Sequence, residues 1–160
     1  MANIADDITE LVGNTPLLRL HKFEKEAGFE GKILAKLEVF NPTGSVKDRI
    51  AKNMIEQAER DGRLKPGGTI IEATSGNTGI GLAAIAAAKG YQAVIVMPDS
   101  MSKERIRILE AYGAKVVLTP GEKNMGGANE KAAEILEQTE NAIITGQGGN
   151  PSNPEAHYQT

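Results

Sequence analysis

From Thr69 onward the chain alternates between two kinds of segment. Short apolar runs rich in Val and Ile stand at Thr69–Ala73, Ala93–Met97, Val116–Leu118 and Ala142–Ile144, with Gly, Pro or Asn close by. They do not alternate polar with apolar residues, which is how a strand covered on both faces reads. Longer segments with helical spacing separate them, giving a β-α-β-α-β-α-β order. Parallel strands joined by right-handed helical crossovers satisfy that order. The expected fold class is α/β: an open, mainly parallel, twisted sheet with flanking helices, in three layers. A chain of 160 residues has room for one such domain and little more.

Four helices are expected. One covers about Val46–Arg60, with Ile50, Met54, Ile55 and Ala58 inward. A second, Thr78–Lys89, is apolar on nearly every side and closes at Gly90. A third starts at a Ser102 cap and runs to Tyr112, with Ile106, Leu109 and Tyr112 on one face. A fourth covers Ala128–Thr139, turning Ala132, Ile135, Leu136 and Thr139 to one side. Two further strands, Pro16–Leu20 and Ile33–Leu37, have no place in the repeat and are assigned to a different sheet. The methionines at 54, 97, 101 and 125 read as packing or loop residues.

Composition removes several functions. The formal net charge is −3, against the basic excess of a phosphate-backbone binder, so no nucleic-acid partner is expected. There is no cysteine, which excludes disulfide scaffolds, thiolate zinc sites and cysteine nucleophiles. His21 and His157 lie far apart and make no metal signature, so no metal is expected. The longest apolar stretch, Ile80–Ala88, is too short for a membrane span. The acidic start lacks a secretory pattern, Met1 reads as a natural beginning, and a cytoplasmic protein is expected.

Ligands of open α/β sheets gather where strand carboxyl ends meet helix N-termini. The loop after the first core strand is Thr74-Ser75-Gly76-Asn77-Thr78-Gly79. It offers hydroxyls, an amide and two glycines that let a ligand approach the backbone, and it carries no acid. Free N–H groups and the helix dipole favour a carboxylate or phosphate there. The loop is not a P-loop, because no lysine follows, and its glycines at 76, 79 and 81 run opposite to the dinucleotide fingerprint. Its other reading is a polar capped turn.

The second motif is Asn41-Pro42-Thr43-Gly44-Ser45-Val46-Lys47-Asp48-Arg49. Pro42 and Gly44 form a turn and Ser45 is a candidate N-cap, which puts Lys47 in the first helical turn. The positive end of the dipole there favours a neutral amine, the form that Schiff-base chemistry needs. A solvated surface lysine is the alternative reading. Asp48 and Arg49 read as ordinary helix surface.

These two motifs together closely resemble cysteine synthase (O-acetylserine sulfhydrylase), of the pyridoxal-phosphate-dependent tryptophan-synthase-β fold type. The resemblance continues through Glu10–Leu20, Met97-Pro98 with Met101–Arg105, Tyr112-Gly113-Ala114, and Asn150–Pro154 with His157-Tyr158. It implies that Lys47 carries pyridoxal 5'-phosphate as a Schiff base and serves as acid and base at the substrate α-carbon. Asn77 would hydrogen-bond the cofactor's ring oxygen. Thr74, Ser75, Gly76, Asn77, Thr78 and Gln147 would hold the substrate carboxylate. The reaction implied is replacement of acetate in O-acetyl-L-serine by sulfide, giving L-cysteine. The segment from about Met97 to Met125 resembles the part that closes over substrate.

The family is roughly twice as long, so the chain is expected to be its N-terminal half. Residues 1–40 would pack with a second domain, 41–148 would form the α/β domain carrying the lysine, and 149–160 would cross over. The loop for the cofactor phosphate and the serine for the pyridine nitrogen would lie beyond residue 160, so the chain alone would hold cofactor weakly. A homodimer is implied at full length, and the C-terminal tail of serine acetyltransferase is an implied partner. Gly148-Gly149 and Asn124-Met125-Gly126-Gly127 depart from the family pattern, the first losing an aromatic wall and the second a positive charge. Cystathionine β-synthase or another β-replacement enzyme is the alternative within the class. A non-catalytic module binding a carboxylate or a peptide is the alternative outside it.

Overall fold

Val and Ile side chains on both faces of a strand require cover on both faces, and the chain provides it. A computed structural model describes residues 4–160, so Met1 and the start of the expected 1–40 segment lie outside the described residues. Four strands form the main sheet: β3 (Thr69–Ala73), β4 (Gln92–Pro98), β5 (Lys115–Thr119) and β6 (Ala142–Ile144). Their spatial order is β5-β4-β3-β6 and every pairing is parallel. Ile70, Ile95, Met97 and Ile143 face one layer, while Ile71, Val94 and Val96 face the other.

The first layer holds α3 (Asn77–Lys89) and α4 (Lys103–Ala111) against the sheet. Outside α3 lies α2 (Lys47–Arg60), and α6 (Ser152–Gln159) packs on α2. The opposite layer is α5 (Asn124–Glu137), which seats Ala128 and Ala132 on Ile71, Val94 and Val96. The three expected layers are present. The chain steps from β3 to β4 to β5 in one direction, then α5 crosses back to place β6 beside β3. The gap between β3 and β6 at their carboxyl ends is therefore a topological switch point.

Most helical expectations hold in detail. Ile50, Met54, Ile55 and Ala58 of α2 are buried, as are Leu82, Ala83, Ile85 and Ala86 of α3, and Gly90 closes α3 with φ of 76°. Met54 and Met97 are core residues, and Met101 and Met125 pack against the core. Two caps differ. Ser102 has extended backbone but its side chain makes no cap hydrogen bond, so α4 starts at Lys103 without one. The helix expected from Ala128 starts at Asn124 instead. Gly127 is buried in the helix against the Lys123 side chain, where its lack of a side chain permits close packing.

The two early strands do form a separate sheet. The antiparallel pair β1 (Leu17–Arg19) and β2 (Leu34–Lys36) flanks α1 (His21–Glu26), a helix the sequence pattern did not announce. Leu20 N–H to Ile33 O and Leu37 N–H to Pro16 O extend the pairing by one residue at each end. Leu17, Leu18 and Leu34 remain half or more exposed. No helix among the described residues is long and apolar enough to cross a membrane.

Candidate functional site

The loop after β3 sits where the argument from sequence placed it. Its Gly76 leads into α3 with extended backbone and no side chain caps the helix; Gly79 N–H bonds the Gly76 carbonyl at 3.1 Å, while the Asn77 and Thr78 N–H groups have no acceptor among the described hydrogen bonds. Space around Gly76 is open to 4 Å, as a ligand approaching the backbone requires. Gly79 behaves otherwise. It is buried in the first turn of α3, and a Cβ there would stand 2.9 Å from Thr74 Cγ2 and 3.3 Å from Ile95 Cγ2. Gly79 seats the helix on the sheet rather than admitting ligand.

The lysine motif is brought to the same end of the sheet by helix packing. A Cβ on Gly81 would meet Ala51 Cβ at 3.1 Å and both Asp48 Oδ1 and the Lys47 carbonyl at 3.3 Å. The start of α2 therefore lies directly against α3 at Gly81, in the helix's second turn. Lys47 opens α2, whose N-cap is Val46 and not the expected Ser45, although the Ser45 hydroxyl accepts the Lys47 N–H at 3.1 Å. The Lys47 ammonium belongs to none of the ion pairs among the described residues.

Asp48 and Arg49 are not helix surface: they are 1% and 2% exposed. Asp48 accepts the Thr43 N–H at 2.7 Å and the Thr43 hydroxyl, tying the Asn41–Gly44 turn to the start of α2. Burial pushes the Asp48 carboxyl up, and the nearby Glu38 charge adds to that effect. Arg49 donates to both Glu38 oxygens, at 2.8 and 2.9 Å, and to Thr15 at 3.0 Å. Asn41 completes this network, giving a 2.9 Å bond to Glu38 and taking the Gly13 N–H at 2.8 Å. The Arg49 guanidinium, with Thr15 and Asn41, holds the Glu38 carboxyl down at about 2. The turn before Lys47 is thus fixed from both sides.

Gln147 arrives from the other strand of the switch point. It follows β6, and its side-chain Oε1 accepts the Thr78 hydroxyl of α3. Its carbonyl takes the Asn153 side chain at 2.9 Å, and Asn150 closes the turn onto the Thr145 carbonyl at 2.7 Å. The Asn150–Asn153 stretch thereby staples the exit loop of β6. Gly148 and Gly149 are exposed beyond it. Thr74, Ser75, Gly76, Asn77 and Gln147 therefore stand together across the β3–β6 gap, with Thr78 buried beneath them and bonded to Gln147. Arg105 of α4 also reaches this loop, donating to the Ser75 carbonyl at 2.9 Å. Nothing local in the sequence marked that contact, because it joins residues 30 apart.

This donor set fits a ligand that carries an anionic group for the uncapped helix end and a carbonyl carbon for an amine. The β6 exit turn also borders a cavity of about 610 Å³. It is lined by Gln57, Arg63, Thr145, Gly146, Asn150 and Glu155.

Known proteins share this sequence pattern and fold. Residues 8–160 match the family described as pyridoxal-phosphate dependent enzyme. A probable cysteine synthase of Bacillus subtilis is 55% identical over all of this chain, which corresponds to 51% of that protein. A cysteine synthase of Staphylococcus aureus is 52% identical over 97% of the chain and 49% of its own length. The crystal structure of cysteine synthase from Entamoeba histolytica superposes with a TM-score of 0.91 at 46% identity, over 98% of this chain and 47% of that one. The chain thus spans about half the length of the curated relatives it matches. A buried turn that presents a lysine, an uncapped polar loop beside it and a family match over nearly every residue lead to one assignment: the chain belongs to the pyridoxal-phosphate-dependent enzyme family.

Proposed function

We propose that this chain supplies the lysine and the carboxylate-binding loop of a cysteine synthase, within a lysine-bearing domain of residues 41–148. The reaction is replacement of acetate in O-acetyl-L-serine by sulfide. The observation that carries the reading is the meeting of three elements at one sheet end: the start of α2 with Lys47, the uncapped start of α3, and Gln147 bonded to Thr78. The cysteine synthases at 52–55% identity support it.

In this reading Lys47 holds pyridoxal phosphate covalently and moves the proton at the substrate α-carbon, while Asn77 bonds the cofactor's ring oxygen. Bound cofactor supplies the electron sink for elimination and addition. Thr74, Ser75, Gly76, Asn77, Thr78 and Gln147 hold the substrate carboxylate through N–H, hydroxyl and amide donors. The absence of an acid within the loop suits that task. Residues 1–40 and 149–160 make contacts to the rest of the full-length enzyme, a homodimer in the cytoplasm whose carboxylate loop also takes the C-terminal tail of serine acetyltransferase.

The test is borohydride reduction of the chain after incubation with pyridoxal phosphate, followed by peptide mapping. The expected result is a reduced pyridoxyl group on the Lys47 peptide, lost in Lys47→Ala. Labelling that favours surface lysines over Lys47 overturns the reading.

A further inference from the structure

One buried acid lies under the polar loop without belonging to it. Glu72 sits in β3 between Ile71 and Ala73 and is 6% exposed. A carboxylate withdrawn from water in this way is strongly destabilising unless its lone pairs are filled. Here they are filled by a single turn of the chain. The Thr145 hydroxyl and the Gly146 N–H, the latter at 2.8 Å, donate to Oε2, and the Gln147 N–H donates to Oε1 at 3.2 Å.

The placement matters because the sheet ladder ends just before it. The last register pair of β3 with β6 is Ile71 with Ile144, followed by one bond from Thr145 N–H to Ile71 O at 3.3 Å. The backbone then turns at Gly146, with φ of 63°. Past that point Glu72 does what the ladder no longer does. It is the acceptor for the Gly146 and Gln147 N–H groups, which have no backbone carbonyl among the described hydrogen bonds. The Gln147 side chain then reaches α3, where its Oε1 is engaged by the Thr78 hydroxyl. Its remaining capacity is two N–H donors, the right chemistry for a carboxylate.

We propose that Glu72 is the positioning residue of the carboxylate site: its buried carboxylate gathers the three donors of the β6 exit turn and so holds the Gln147 amide at the β3–β6 gap. This rests on the reading of Gln147 as a ligand for substrate carboxylate. Both side-chain oxygens are needed as acceptors. A glutamine at position 72 offers one acceptor oxygen, so at least one of the two backbone N–H groups faces its NH2 and loses its partner. Glu72 does not itself touch substrate.

The experiment uses the 15N-labelled 160-residue chain, with acetate as the probe carboxylate, followed by amide shifts, hydrogen exchange and side-chain NH2 signals. In the wild type the Gly146 and Gln147 amides are expected downfield and protected, and acetate should move the Ser75–Thr78 amides together with the Gln147 NH2. In Glu72→Gln both downfield shifts should collapse, protection should fall about tenfold, equivalent to about 1.4 kcal/mol, and acetate affinity should fall several-fold. The Ser75–Thr78 amides should still respond. Glu72→Asp, which keeps the charge on a shorter arm, should recover part of the affinity. Unchanged shifts and affinity in Glu72→Gln overturn the proposal while leaving the carboxylate reading intact. Acetate that moves neither the loop nor Gln147 in the wild type overturns both. Should Glu72→Gln not fold, rapid exchange of the Gly146 and Gln147 amides in the wild type overturns the proposal by itself.

Discussion

The parallel body and the β1–β2 ribbon are held by different forces. In the body, Ile50, Ile55, Ile70, Ile71, Leu82 and Ile95 are each 0% exposed, and stability there comes from apolar burial on both faces of the sheet. In the ribbon, Leu17 is 62% exposed and Leu34 is 52% exposed. What fixes the ribbon is polar. Glu24 takes Arg19 Nε at 3.1 Å and the Ile33 N–H at 2.6 Å, joining α1 to the approach to β2. Glu38 then joins the segment after β2 to the body through Arg49. The body rests chiefly on its apolar core, whereas the ribbon's attachment runs through a few charges.

The largest effect should come from breaking that attachment. Glu38→Ala strands Arg49, whose side chain is 1% exposed and already has one nitrogen without a partner. An uncompensated buried charge costs about 3–5 kcal/mol, and urea denaturation should show a loss of that order. Hydrogen exchange in β1 and β2 should accelerate more than in β3 and β4; equal acceleration would break the comparison. Next comes Ile95→Ala in the body. Removing a fully buried branched side chain costs about 2–5 kcal/mol, and here protection should fall throughout the sheet.

Acid sharpens the same contrast. Arg49, then Thr15 and Asn41, hold the Glu38 carboxyl at about 2 against an ordinary 4.5. A carboxyl lowered in the folded state contributes its stability above the ordinary value and loses it as pH falls through the lowered one. The gap between wild type and Glu38→Ala should therefore shrink by on the order of 3 kcal/mol as pH falls from 4.5 toward 2. Asp48 works in the opposite sense, because burial raises its carboxyl and protonation favours the folded state. A gap that stays constant over that window would show that the ion pair does not couple to folding.

How far the sequence could be read follows from the same division. Strands β3 and β6 were legible to the residue, because a run of branched apolar side chains bounded by turn residues has few other uses. The loop Thr74–Gly79 and Lys47 were legible as positions, since each follows from where a strand ends or a helix starts. Asp48 and Arg49 were misread, because a charge beside a helix start reads as solvated until its partner is known. Glu38 lies 11 residues from Arg49, and only the closed chain brings them together. Glu72 did leave a signal: an acid inside an otherwise apolar strand needs a buried donor. Its donors, however, lie more than 70 residues away, and the β3–β6 adjacency that supplies them depends on strand order.

The smallest effect tests the ribbon itself. Leu17 lies in β1, where a reading from strand composition alone would bury it. At 62% exposure it has little apolar contact to lose. Leu17→Ser should leave the urea midpoint within about 0.5 kcal/mol of wild type, as for exposed positions away from special contacts. Its backbone pairing with Lys36 needs no leucine side chain and should persist. A loss above about 1 kcal/mol would mean that the ribbon rests on apolar packing after all, and the division between a core held by burial and a ribbon held by charge would fail at its simpler end.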